Sequence, residues 1–293
     1  MDELEQQGDN APQPAANPPP KKVKKQPPQK TINQFWDAFF SKFPGGVESI
    51  LPSHFYTKGQ HANPTMKSAA SHAIGKSYEQ AVADCKADIA KIAKECRRIN
   101  TKYRDPHFDI EWDLKSGKRD CLDGLVSDGW TMYPKAVKRV GDIFEAPVFF
   151  EEGASAGDIR QGSNGDCWFL SALTALTTKK DLIDKICVAR DEKVGVYGFV
   201  FHRDGEWIQT IIDDKLYLTH ADWDEIGEEK WASWLQINRD DAEEEYRKAN
   251  QVGSRSLYFA QCRSENETWL PLIEKAYAKA HGDFNAIQGG FTG

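Results

Sequence analysis

The stretch QGSNGDCWFLSAL, residues 161–173, sets a glutamine six positions ahead of a cysteine and follows the cysteine with an apolar run of helical spacing. A thiol attacks as its thiolate, and the unpaired N–H groups at the amino end of a helix favour that charged form. The spacing puts Cys167 at such an end. Gln161 brings a side-chain amide that, beside the backbone N–H of Cys167, can hold the oxygen that turns negative when sulfur adds to a carbonyl. Gly165 lets backbone or substrate approach closely, and Asp166 is of the residue type that caps a helix. The chemistry on offer is nucleophilic attack at a carbonyl carbon. Against it stands the reading of Cys167 as a small buried hydrophobe, the usual use of a free cysteine.

Two further blocks must hold this stretch in place. VYGFVFHRDGEWIQTIIDD reads as two strands around the turn Arg203-Asp204-Gly205, and Trp269, Leu272, Ile273, Ala276, Tyr277 and Ala280 trace the buried face of a last helix. Upstream, Tyr78, Val82, Cys85, Ile89, Ile92, Cys96, Ile99 and Tyr103 alternate steps of four and three, a seam that serves either a coiled-coil partner through residues 78–103 or the protein's own body. Ile32, Phe35, Trp36, Phe39, Phe40 and Phe43 line another helical face, ended by Pro44-Gly45-Gly46, for docking or for packing. The text after residue 114 and up to Tyr133 receives no element. Asp222 to Arg255 hold ten acidic and five basic residues and read as a solvated excursion.

Composition narrows the classes. With 293 residues and 40% hydrophobic content the chain can bury one or two cores. A net charge of −7 gives no drive toward nucleic acid. The opening MDELEQQGDN is acidic where a secretion signal is basic and then apolar, and no apolar run approaches the roughly 18 residues of a membrane span. Residues 1–30 are too polar and proline-rich to order themselves, and their basic cluster at 21–25 is either a nuclear import signal or a solvated charge run. The expectation is a cytoplasmic protein without a transmembrane segment, with nuclear access if that cluster is read. Cys85, Cys96, Cys121, Cys167, Cys187 and Cys262 are scattered, with no Cys-x-x-Cys pair for zinc or redox work, so reduced thiols are expected.

DIRQGSNGDCWFLSAL, EWIQTIIDD and LIEKAYAKAHGDFNAIQGGFT, in that order, resemble the protease core of the calpains, intracellular papain-like cysteine endopeptidases. The helical stretch from Tyr78 to Leu114, with ECRRINTKYRDPHFDIEWDL, is similar to calpain-like proteins of fungi and other non-animal lineages. The resemblance implies an α+β fold: a disordered tail at 1–30, a mostly helical region at 31–133, and the first lobe of a papain-like core at 134–293 with an acidic insertion at 221–256. It makes Cys167 the nucleophile and Gln161 the oxyanion donor. A second lobe would bring a histidine base and an asparagine, and 126 residues follow Cys167, short of the roughly 130–150 of papain-type spacing. The chain is therefore expected to be a fragment, inactive alone, of a calcium-dependent endopeptidase that cleaves protein substrates through a cysteine thioester. The family's first-lobe Ca2+ site falls on Glu151, Gly153, Asp158 and Glu267, oxygen donors that suit a hard cation. The sequence departs from the family in EEGASAG and at Glu265, where the family has glycine. The alternative is a non-catalytic scaffold using the helices and acidic insert for protein partners.

Overall fold

The computed structural model describes residues 76–122, 133–151, 153–179 and 181–290. The tail at 1–30, its basic cluster and the aromatic face of 32–43 lie outside the described residues. In chain order the α-helices are α1 (Tyr78–Arg98), α2 (Ile110–Ser116), α3 (Val140–Ile143), α4 (Cys167–Thr177), α5 (Glu228–Asn238), α6 (Ala242–Asn250) and α7 (Trp269–His281). The strands are β1 (Ala136–Arg139), β2 (Ile159–Arg160), β3 (Cys187–Asp191), β4 (Val196–Arg203), β5 (Glu206–Asp213), β6 (Lys215–Leu218) and β7 (Gln261–Cys262). They build an antiparallel sheet in the order β3-β4-β5 and two antiparallel ladders, β1 with β6 and β2 with β7. This is the α+β mixture expected.

Helix α1 starts at Ser77, whose hydroxyl accepts from the Gln80 N–H at 3.2 Å. Its seam does not wait for a partner. Cys85, Ile89, Ile92 and Cys96 are buried in one cluster with Val194, Val196, Val200 and Ile211, so the helix lies on the sheet of its own chain. The helix ends at Arg98, one turn before the end of the heptad pattern, and Tyr103 reaches the same cluster from the loop beyond. Closeness at the crossing depends on Gly198 of β4, where a Cβ would stand 2.4 Å from the Cys85 sulfur. The β4–β5 hairpin turns on two residues, not three: Arg203 pairs with Glu206, and Asp204 and Gly205 both have positive φ. That is the mirror-image turn whose twist matches the strands and which Asp-Gly accommodates.

Helix α7 runs through the main core. Trp269, Leu270, Leu272, Ile273 and Ala276 are fully buried among Phe169, Leu173, Phe199 and Ile212. Its other face is not solvated, as an apolar stripe would suggest, but carries buried charge. The Lys275 ammonium binds the Asp213 carboxylate and the Lys215 carbonyl (2.8 Å), and Lys279 binds Asp105 at 2.7 Å. Arg139 pairs with Asp214, and Lys215 with Asp109 at 3.2 Å. Burial alone would raise the Asp213 pKa, but Lys275, Lys215 and Arg139 together hold it well below the ordinary carboxylate range. These pairs tie the 105–109 segment, unassigned to any core from sequence, to α7 and β6. Asp109 also caps α2 by accepting from the Trp112 N–H.

The acidic segment from Asp222 to Arg255 is folded. Trp223, Ala242 and Tyr246 are buried in a cluster of their own with Trp231, Trp234 and Leu235 packed on it, which makes α5 and α6 a helical pair and not a solvated excursion. The chain leaves and re-enters the core at adjoining points: Thr219 donates to the Ser256 carbonyl, and Tyr258 to the Tyr217 carbonyl, each at 3.0 Å. Among the described residues no helix is long and apolar enough to cross a membrane.

Candidate active site

Cys167 is the first residue of α4 and the one exposed cysteine of the six. Burial raises the pKa of the other five, to about 11 at Cys96 and about 12 at Cys187, and pushes Cys85, Cys121 and Cys262 up from the ordinary thiol value as well. They stay protonated, packed thiols. The hydrophobe reading suits those five and fails for Cys167.

Helix α4 is amphipathic about Phe169, Leu170 and Leu173, which are buried, so Cys167 and Ser171 are turned outward. The Phe169 ring stacks on Tyr277 of α7 with centroids 4.3 Å apart. Trp168 is pinned by its indole N–H, which donates to the Ile287 carbonyl at 3.0 Å, and by Gly290, where a Cβ would come 2.7 Å from the indole. The helix that Cys167 opens is thus held by α7 and by the chain just after it.

The loop before Cys167 is fixed from the same side. Ser163 donates to the Tyr258 carbonyl at 2.9 Å, the buried Asn164 amide donates to the Phe284 carbonyl at 3.2 Å, and Gly289 donates to the Gly165 carbonyl at 2.9 Å. Gly162 lies so close to Phe259 that a Cβ would sit 2.2 Å from its carbonyl carbon. Gly165 serves a neighbour within the chain, since its Cβ position faces Gln288 at 3.2 Å. Gln161 remains exposed and donates from Nε2 to the Asn164 carbonyl at 2.7 Å, which leaves one amide N–H uncommitted by that bond. Gln161 and Cys167, at the two ends of this loop, are both exposed.

Asp166 stands at the helix cap position but its side chain makes no capping bond. Its carboxyl turns into the core, fully buried, toward Glu274 of α7, and only its backbone carbonyl serves the helix, accepting from Phe169 at 2.9 Å. With no side chain spent on the cap, the first N–H groups of α4 stay open at its amino end, as an oxyanion site requires. Sequence reading missed Asn164, which looks like an ordinary turn residue, and Glu274, which looks like the wet side of a helix. Neither carries a local signal.

The four residues of the expected metal site fall into two kinds. Glu267 is buried; its Oε1 accepts from the Glu151 N–H at 2.8 Å and its Oε2 has no hydrogen-bond partner. Burial raises its pKa, and the nearby Asp158 and Glu151 carboxylates add to the rise. Asp158 accepts from the Ser155 N–H at 3.0 Å, and Gly153 turns the loop with φ +96°. An orphaned carboxylate oxygen among other carboxylates fits a hard cation. Among the described residues no three His, Cys, Asp or Glu side chains gather as a cage, so any cation there would need carbonyl oxygens as well.

An exposed cysteine thus starts a helix, six residues after an exposed glutamine on a tied-down loop. Residues 131–293 match the family model described as calpain family cysteine protease. The chain belongs to the calpain family of cysteine proteases. It is 29% identical over 229 residues to calpain-8 of Mus musculus, covering 76% of this chain and 27% of that one. It is 27% identical over 246 residues to calpain-9 of Homo sapiens (82% and 28%) and 27% identical over 228 residues to the calpain-2 catalytic subunit of Bos taurus (74% and 26%). The chain spans about a quarter of the length of the curated relatives it matches.

Proposed function

We propose that this chain is the nucleophile-bearing part of a calcium-regulated endopeptidase that cleaves internal peptide bonds through a thioester on Cys167. One observation carries the reading: of six cysteines only Cys167 is exposed, and it is the one at a helix amino end, six residues after the exposed Gln161. In this reading the thiolate adds to the peptide carbonyl carbon and the carbonyl electron pair moves to oxygen, between the Cys167 N–H and an N–H of the Gln161 side chain. Collapse expels the amine, which takes a proton from a general acid, and water then cleaves the thioester. That acid is a histidine outside the described residues. Among those described, no histidine is bonded to the Cys167 thiol: His202 packs on Trp207, and His281 on Tyr277. The substrates are extended protein segments.

Glu267 and Asp158 would hold the calcium ion with carbonyl oxygens of Glu151 and Gly153. Bound there, the ion would supply positive charge that ties the 151–158 loop to Glu267. The packed thiols and absent disulfides suit a reducing compartment such as the cytoplasm.

The test is reaction with a peptidyl chloromethyl ketone, with and without calcium, followed by mass spectrometry. One adduct on Cys167, none on Cys167→Ala, and faster labelling with calcium are expected. Residues 1–293 alone should label without turning over peptide. Equal labelling of a second cysteine overturns the assignment of the nucleophile, and a rate indifferent to calcium overturns the metal's role.

A further inference from the structure

Helix α5 carries four large apolar side chains, Trp231, Trp234, Leu235 and Ile237, and buries none of them. Trp231, Trp234 and Leu235 pack on the cluster of Trp223, Ala242 and Tyr246 but keep part of their surface open. The other face, spaced at Glu229, Ala232, Ser233, Gln236 and Ile237, is exposed along its length. Ile237 is 78% exposed, the one large hydrophobic side chain so open among the described residues. A lone exposed isoleucine is ordinary, but one on a helix whose tryptophans and leucine are also only partly covered marks a surface for contact.

The charge of this surface is equally unanswered. Glu228, Glu229, Asp240, Asp241 and Glu243 are exposed around the starts of α5 and α6, and none pairs with a cation among the described residues. Glu244 and Glu245, by contrast, share Lys248.

The chain itself holds the complement. Residues 21–43, outside the described residues, set six lysines against a single aspartate, and their Ile32, Phe35, Trp36, Phe39 and Phe40 fall on one face by helical spacing. Their excess of five positive charges matches the excess of five negative ones in residues 222–255. The 32 residues from 44 to 75 reach at most about 100 Å, against the roughly 45 Å breadth of a domain of this size. Every face of the core is within that reach, so complementarity decides among them. The outer side of α1, with Lys86 and Lys94 exposed, has the wrong sign.

We propose that residues 21–43 dock within their own chain on the α5–α6 pair, the aromatic face covering Ile237 and the open edges of Trp231, Trp234 and Leu235, and the lysines meeting the unpaired acids. A tether of this kind gives the segment an effective concentration of millimolar order, so weak charge pairs and a modest apolar contact suffice without a second chain. Docked, the basic cluster at 21–25 is withheld from any other acidic surface. The inference does not depend on the chemistry of Cys167.

Photo-cross-linking of the whole chain, with p-benzoylphenylalanine in place of Phe39, tests this. Irradiation should join residue 39 to a peptide within 228–246 of the same chain, with a yield that does not change on dilution. The yield should fall at least about threefold between roughly 0.05 M and roughly 0.5 M salt as the charges are screened. Ile237→Asp should lower it at least about threefold, because the covered position then holds a charge. Lys24→Glu/Lys25→Glu should lower it as much, and adding Glu228→Lys/Glu229→Lys should return it to within about twofold of the parent.

Cross-links to another face of the core, cross-links only between chains, or a yield indifferent to salt overturns the proposal. So does a charge reversal on both sides that fails to recover the yield. If Ile237→Asp does not fold, Lys24→Glu/Lys25→Glu, which leaves α5 and α6 untouched, decides: a lowered yield supports docking and an unchanged one overturns it.

Discussion

At the residue scale Cys167 is set apart from the other cysteines by its exposure. Five thiols are packed and held protonated, so native-state alkylation should mark Cys167 alone, and denaturation should release all six, which peptide mass mapping will count. Glu267 allows a prediction whose sign follows from its environment. Burial and neighbouring carboxylates raise its pKa, so it holds a proton further up the pH scale than a free glutamate, and that proton must leave before a cation binds. Calcium affinity, followed by isothermal titration calorimetry, should therefore weaken as pH falls toward that raised value, and Glu267→Gln should bind weakly at every pH. That Cys167 opens a helix was legible from the apolar run of helical spacing behind it. Asp166 was not: a capping residue and a buried acid are the same letter, and only the approach of Glu274, 108 positions later in sequence, decides between them.

Between elements, fit depends on a few small residues. The crossing of α1 over β4 leaves no space at Gly198, so Gly198→Ala should destabilise the chain by about 1–3 kcal/mol in urea unfolding through overpacking. Adding Cys85→Ala removes the atom at 2.4 Å and should return part of that loss, the remainder belonging to Ile89 at 3.0 Å. Additive losses in the double variant would contradict the contact. The helical periods of α1 and α7 and the alternation of β4 and β5 were readable because each buries one face, and burial writes a period into the sequence. What periodicity hides is the polar complement. Lys275 and Lys279 look like the wet side of α7, yet each meets an aspartate from a distant segment. The helices of the insertion were obscured by their charge, although Trp231, Trp234 and Tyr246 supply a cluster that a solvated excursion has no use for.

On the scale of the whole molecule the insertion is an appendage that the core closes behind. Thr219 and Ser256 are bonded across its neck, as are Tyr217 and Tyr258, so the core does not need the helices to bring its ends together. Replacing residues 223–252 by a short Gly-Ser linker should leave the melting temperature within about 4 °C, the shift that roughly 1 kcal/mol produces at this size, and should leave Cys167 labelling unchanged. A collapse of the melt would place the insertion inside the folding unit.

The ties between the loop before Cys167 and residues 284–287 have a bearing on synthesis. Asn164 is held by Phe284, 120 positions on, and Trp168 by Ile287, 119 positions on. On the ribosome the cysteine emerges long before the residues that lock its loop. Through that interval the thiol sits in a loop that lacks its fasteners, and Cys167 gains the surroundings described above only once residues 284–287 have folded back.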